Sequence, residues 1–316
     1  MLSLILAVHN GAGTLPRTLS ALTRLAQPSA GLEIIAVDNA STDQTADILA
    51  SYTSRLPMTV LYEPRQGKSF ALNRGIEHAK GDFIVFTDDD IIPEVNWLTA
   101  YVDAAERHPG IGIFAGQVRH EWDAPPPRWL KFLANAGKSY GGTPIDMEEK
   151  TVPFGAVKGC NLMVLRSTMA QTRFAETPDV NFCGEGPSSG GEDTLFAKEI
   201  ASRDNGILFV PNACVRHIVR ANQVGIRPVF SRYMRIGGTL PIEAKEGIKI
   251  LGYPAFGLRQ ACSQAAKCLS WLVRGKSEEA AIYMVYLAKT LGALREGHKI
   301  RNARKINSKT PSRNSK

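Results

Sequence analysis

"KSFALNRGIEHAKGDFIVFTDDDIIPE", residues 68–94, changes its period halfway along. Over 68–80 the apolar side chains recur at helical spacing. Over 82–88, "DFIVFTD", they form a short run rich in β-branched and aromatic residues, as a buried strand does. The strand runs out into three consecutive carboxylates, Asp88, Asp89 and Asp90, and none of the next three residues supplies a cation.

The same alternation extends toward the N-terminus. "LSLILAV" (2–8), "EIIAVDN" (33–39) and "MTVLYE" (58–63) read as strands, and 14–26 and 41–56 read as helices opening at Thr14 and Ser41. Strand and helix in repeated alternation predict an α/β fold with a doubly wound, mostly parallel sheet. Ligands in such sheets bind beyond the carboxyl ends of the strands. That edge carries His9 and Asn10, then Asp38 and Asn39, then Arg65 and Lys68 in a glycine-containing turn suited to a phosphate, then the three aspartates. "HNGAGT" after the first strand lacks the third glycine of a dinucleotide fingerprint, which disfavours a nicotinamide enzyme.

The composition, 44% hydrophobic and 22% charged over 316 residues, is that of an ordinary globular chain. Five cysteines (160, 183, 214, 262, 268) without paired spacing read as reduced thiols, and the expected location is cytoplasmic. Residues 299–316 hold seven basic side chains and no acid; without them the net charge of +8 falls to about +1. This basic stretch has no aromatic residue, so nucleic acid is not an expected partner. We read it as a disordered tail attracted to an anionic membrane face. The expected organisation is a catalytic domain over 1–222, a helical extension over 223–298 apolar enough either to associate with a membrane or to cover the sheet, and the tail over 299–316. No apolar stretch approaches the ~20 residues of a membrane span.

Three adjacent carboxylates repel one another, and a hard divalent cation removes the conflict. The competing reading is an acidic turn capping a helix that starts near Pro93. Composition alone leaves both open. Alternation along an extended segment turns Asp88 and Asp90 one way and Asp89 the other, so Asp89 is expected to tolerate change best. "GGEDTLF" places Glu192 and Asp193 at a helix start behind a glycine-rich loop, where Asp193 serves either as a general base or as a helix-terminal charge. His217, in "CVRHIV", is either a metal ligand or a structural histidine.

Four segments together form a wider pattern: "VHNGAGTLPRTLSAL", "VDNASTDQT", "RQGKSFALNRGIEHAKGDFIVFTDDDIIP" and "GGEDTLFAKEI". In this order and spacing the chain resembles the inverting family-two glycosyltransferases with the GT-A fold, over roughly residues 2–222. The resemblance implies transfer of a sugar from a nucleotide diphosphate donor, a UDP-sugar, to a hydroxyl of a glycan or polyprenyl-linked acceptor, assisted by Mg²⁺ or Mn²⁺. It implies that Asp38 reads the base, that Asp88 lies near the ribose, and that Asp90 and His217 hold the metal. It further implies that Asp193 is the base, with His9, Asn10, Arg65, Lys68, Asp89, Gly159, Asn161 and Glu192 at the donor site. Cys160 stands where the family's Gly-Gly-Asn stretch has its second glycine, and Ala7 and His9 replace a proline and an aromatic. Arg232, Tyr233 and Arg235 do not reproduce the signature of the processive polymerases, so single transfer is expected. The alternatives are a non-catalytic nucleotide-sugar scaffold and a sugar-phosphate nucleotidyltransferase; the latter wants a basic glycine-rich loop that "HNGAGT" does not provide.

Overall fold

The computed structural model describes residues 1–177, 191–202, 206–238, 249–250 and 252–307. Cys183, the glycine-rich loop before Gly191 and residues 308–316 of the basic tail therefore lie outside the described residues. The chain divides into two compact units, one of residues 1–124 and 134–221, the other of 125–133 and 222–316.

In the first unit the alternation read from the sequence is present: β1 (Leu2–Val8), α1 (Leu15–Leu22), β2 (Leu32–Asp38), α2 (Thr45–Tyr52), β3 (Met58–Tyr62), α3 (Lys68–His78) and β4 (Phe83–Asp88). These are followed by β5 (Ile91–Pro93), α4 (Trp97–Arg107), β6 (Ile113–Trp122), β7 (Lys150–Val152), β8 (Leu162–Leu165), α6 (Arg166–Met169), α7 (Glu192–Ala201) and β9 (Ile207–Val219), while α5 (Arg128–Asn135), between β6 and β7 in the chain, belongs mostly to the second unit. The strands form one sheet of order β3-β2-β1-β4-β8-β6-β9-β5, with β7 on β9. The half from β3 to β4 is wholly parallel. The other half is mixed, because β8 runs antiparallel to both of its neighbours while β6 and β9 are parallel.

Both faces of the sheet are covered, which is why β1 is buried throughout rather than alternating. Leu4 and Leu6 face α1 and α4 through Leu15, Leu19, Trp97 and Tyr101. Ile5 and Ala7 face α3 and α7 through Leu72, Ile76, Phe196 and Ile200. Phe86 meets Phe174 and Phe196 edge-on at 5.1 and 5.6 Å, and the latter two stack at 4.0 Å. This cluster fastens α7 under β4, so the first turn of α7 reaches the carboxyl edge of the sheet.

Two local expectations differ from the structure. The second helix begins at Thr45 rather than Ser41, because 41–45 binds the loop after β1: the Thr42 amide donates to Asn10 Oδ1 (2.8 Å), and Asp43 Oδ2 accepts from the Ala12 amide (3.0 Å). Nor do the three aspartates cap a helix. They lead into β5, whose Ile91 pairs with His217 on β9, and α4 starts only at Trp97.

The second unit contains α8 (Ile226–Gly238), a short pair β10 (Lys249–Ile250) and β11 (Tyr253–Pro254), α9 (Ala255–Val273) and α10 (Ser277–Asn307), so residues 299–307, expected to begin a disordered tail, instead continue a helix. Among the described residues no helix is long and apolar enough to cross a membrane. Gly237 on α8 and Gly292 on α10 let these helices approach closely, since a Cβ on either would fall on the other helix's backbone carbonyl.

Candidate active site

A cleft of about 210 Å³ opens at the carboxyl ends of β1 and β4, lined by Ala7, His9, Asn39, Gln66, Lys68 and the three aspartates among others. The cation that neighbouring sequence did not supply comes from the first residue of α3. Lys68 Nζ lies 2.5 Å from Asp88 Oδ1 and 3.9 Å from Glu192 Oε1. Burial alone would lower the affinity of this ammonium for its proton, but Asp88 and Glu192 reverse the effect and raise its pKa well above the usual lysine range. Glu192 is itself buried, which pushes its pKa up, with Lys68 pulling the other way.

Asp90 turns toward β9. Its Oδ2 is 3.2 Å from His217 Nε2, and its backbone carbonyl accepts from the Ile218 amide at 2.8 Å. Burial opposes ionisation of Asp90, and the facing imidazole outweighs it, holding the carboxyl below the ordinary range. Asp90 Oδ1 and Glu192 Oε2 are buried and, among the described residues, have no hydrogen-bond partner. A buried carboxylate oxygen without a donor is costly unless something else occupies it. Asp90 Oδ2 and His217 Nε2, 3.2 Å apart, are donor types that a small divalent cation accepts. Among the described residues no cluster of three or more such ligands forms. The pair therefore fits Mg²⁺ or Mn²⁺, ions that take few protein groups and fill the remaining positions with phosphate and water.

Asp89 differs from expectation. Its carbonyl accepts from Thr18 Oγ1 at 2.8 Å, and its carboxylate packs where a Cβ on Gly11 would fall. Burial, then Asp90 and Asp88, raise its pKa to about 7. A side chain wedged this tightly is not the member of the triplet with most room for change.

His9 Nδ1 is 2.7 Å from the Asn39 carbonyl, an acceptor only, so Nδ1 carries the proton and Nε2 accepts from the Gln66 amide at 3.0 Å. Asn39 ties the next loop down, accepting from the Gly67 amide (2.7 Å) and donating to the Arg65 carbonyl (2.7 Å). Asp38 is buried and its Oδ1 accepts from the Ser41 amide at 3.1 Å, a turn contact that leaves its other oxygen for a further donor. Asn10, at φ 51°, bridges to Ser41 and Thr42 on an exposed corner. Asn39 and Gln66 lie in loops on the edge chosen from sequence, where the sequence assigns neither a contact to the donor, and both line the cleft.

Two expected donor contacts are spent elsewhere. Arg65 forks onto Glu63 at 2.8 and 3.1 Å and lies over Phe70, outside the lining of the cleft. A glutamate two residues away neutralises it before a phosphate does. Asn161 is fully buried; its Oδ1 accepts from Trp97 Nε1 and Tyr101 Oη, both at 2.7 Å, and its Nδ2 donates to the Gln117 and Ala213 carbonyls at 2.9 and 2.8 Å. An amide with two acceptor and two donor positions is then saturated. Asn161 is a core junction rather than a ligand contact. Asn161→Ala orphans these partners, and we expect unfolding in urea to show a loss of about 4 kcal/mol at unchanged m-value. A loss below about 1 kcal/mol would show that the network does not hold the core.

Asp193 is half-buried in the first turn of α7, next to Glu192. Its Oδ2 accepts from the Gly159 amide (2.8 Å) and its Oδ1 from the Thr194 amide (2.7 Å), which fixes the carboxylate while leaving lone pairs on both oxygens. A Cβ at Gly159 would crowd the Asp193 side chain at 3.1 Å. Cys160 is buried, and burial raises its thiol far above the range of a reactive cysteine. The described cysteines are free thiols.

The parallel half of the sheet ends in a cleft lined by carboxylates, His9 and Lys68, and residues 3–171 match the model of glycosyl transferase family 2. The chain belongs to that family and is a glycosyltransferase. It is 28% identical over 252 residues to the succinoglycan biosynthesis protein ExoM of Rhizobium meliloti, covering 78% of this chain and 74% of that one. Its fold is similar to that of S. aureus TarS 1-349 solved with UDP (TM-score 0.51, 14% identity, 96% and 91% of the two chains). It is also similar to that of the mannosyltransferase PcManGT from Pyrobaculum calidifontis solved with GDP-Man and Mn²⁺ (TM-score 0.54, 19% identity, 98% and 81%). These likenesses establish the GT-A type sheet.

Proposed function

We propose that this enzyme transfers one sugar, with inversion, from a nucleotide diphosphate sugar, a UDP-sugar, to a hydroxyl of a glycan or lipid-linked acceptor in polysaccharide or glycoconjugate synthesis. The observation that carries the reading is the buried Oδ1 of Asp90, without a hydrogen-bond partner among the described residues, beside His217 at the edge where Lys68, Asp88 and Glu192 also meet.

Asp90 and His217 would hold a divalent cation, Mg²⁺ or Mn²⁺. When bound, such an ion offsets the charge that grows on a departing diphosphate. The side chains of this chain do the rest. Asp38, with one oxygen left over from its turn, accepts from the base. Asp88 lies nearest the ribose, and its contact with Lys68 orients it. His9 and Gln66 form a hydrogen-bonded wall, with the loops after β1 and β2 fastened together by Asp43. Asp193 takes the proton of the acceptor hydroxyl, on the far side of the sugar from the leaving group. A single carboxylate base suffices for in-line attack, which inverts the anomeric centre, whereas a hydrolase uses two. The name of the Rhizobium relative supports a place in polysaccharide synthesis. A cytoplasmic site, peripheral on the membrane face where a lipid-linked acceptor is presented, accords with the basic C-terminal residues.

The donor is tested by thermal unfolding with a panel of UDP-, GDP- and dTDP-sugars, with and without Mn²⁺. A cognate donor at about 100 times its Kd stabilises the fold by about 2.7 kcal/mol. We expect a UDP-sugar to do so only with Mn²⁺. Equal stabilisation without metal would remove Asp90 and His217 from the cation role, and stabilisation by GDP-sugars alone would correct the base.

A further inference from the structure

The second unit leaves an unusual helix end uncovered. α9 contains no Asp or Glu and buries only Gly257 and Ala261, against a neighbouring face of its own unit. At its C-terminus Leu269, Leu272 and Val273, spaced i, i+3, i+4 on one face, are 63%, 53% and 80% exposed. Isolated apolar residues on a surface are ordinary, but three adjoining ones at a helix tip are not.

The turn that follows is rigidly built. Gly275, at φ 71°, donates to the Leu272 carbonyl (2.9 Å), and the Lys276 amide donates to the Trp271 carbonyl (3.0 Å). These two bonds form a Schellman motif, in which an apolar residue usually packs back onto the helix from the position of Lys276. Here a cation does so instead. Lys276 Nζ lies 5.2 Å from the Trp271 ring centre and the Arg274 guanidinium 5.3 Å. Lys267 sits 5.5 Å from the ring of Tyr283. The nearest acids in sequence, Glu278 and Glu279, face Arg128 at 2.7 Å and Lys276 at 3.9 Å.

We propose that this α9–α10 turn is a membrane-docking tip: Leu269, Leu272 and Val273 enter the acyl boundary of an anionic bilayer, Trp271 lies at the interface, and Lys267, Arg274 and Lys276 meet the lipid headgroups. Apolar side chains at the apex with an aromatic and cations behind them is the arrangement an interfacial helix requires. A second copy of the chain fits less well, because a two-fold contact would set the three cations against themselves. The proposal locates the membrane contact in the folded turn instead of the basic end, and vesicle binding needs no nucleotide sugar, so its failure leaves the transferase reading untouched.

The test is co-sedimentation of the full chain with vesicles of phosphatidylcholine alone or mixed equally with phosphatidylglycerol. We expect binding to the mixed vesicles only. Leu272→Asp/Val273→Asp should abolish it, and Lys267→Ser/Arg274→Ser/Lys276→Ser should weaken it on the order of 100-fold, with unchanged far-ultraviolet circular dichroism and melting temperature for both. A chain ending at residue 307 should still bind. The proposal is overturned if the aspartate variant sediments like the parent, if removal of 308–316 alone abolishes binding, or if the parent ignores the mixed vesicles. A solution dimer that the aspartate variant dissolves, without vesicle binding, would likewise overturn it and assign the tip to self-association.

Discussion

Asp193→Asn lowers turnover by about 10²–10⁴-fold and leaves donor binding intact, the result expected when a general base is removed without disturbing its surroundings. The amide retains an oxygen for one of the two backbone donors that now position the carboxylate, the amides of Gly159 and Thr194. The measurement is single-turnover transfer at saturating donor, with donor affinity followed separately by thermal shift. Glu192→Gln is the comparison, since Glu192 is turned inward toward Lys68 and its proton affinity is raised by burial. If Glu192→Gln abolishes transfer and Asp193→Asn does not, the base is the wrong member of the pair. If both variants transfer normally, the non-catalytic scaffold reading regains its place for this site.

Asp90→Asn is expected to cost several kcal/mol of transition-state stabilisation, about 10³-fold or more in turnover, and to remove the Mn²⁺-dependent stabilisation by donor. Two contributions act together. The amide cannot balance a cation, and the electrostatic partner that now faces His217 Nε2 at 3.2 Å is lost. Titration of the parent enzyme with EDTA should reproduce the loss, and added Mn²⁺ should restore the parent but not the variant. Activity in the variant that is indifferent to EDTA would exclude Asp90 as a metal ligand.

Much of the first unit was legible because its periodicities are strong. β1 to β4 and the intervening helices follow from runs whose burial depends only on spacing, and the edge where loops collect follows from the parallel order. Asp38, Lys68, Asp88, Asp90 and His9 were selected on that basis, and they lie on or beside the same edge. The boundary of α2 was harder to read, since Ser41 to Asp43 have the chemistry of a helix start but spend it on the loop after β1. Arg65 illustrates the same competition over two residues, with Glu63 claiming a guanidinium whose neighbourhood suggested a phosphate.

Local order in the sequence, then, was enough to establish the strand edge and the kinds of groups gathered there, because alternation and helical spacing are properties of neighbouring residues. Only the tertiary structure decided which of those groups remain available. Asn161 is saturated by partners 44 to 64 positions away, Lys68 reaches Asp88 and Glu192 from a different helix, and Asp90 meets His217 only because β5 pairs with β9. Each polar group has a fixed number of hydrogen bonds to give, and long-range packing determines where they are spent.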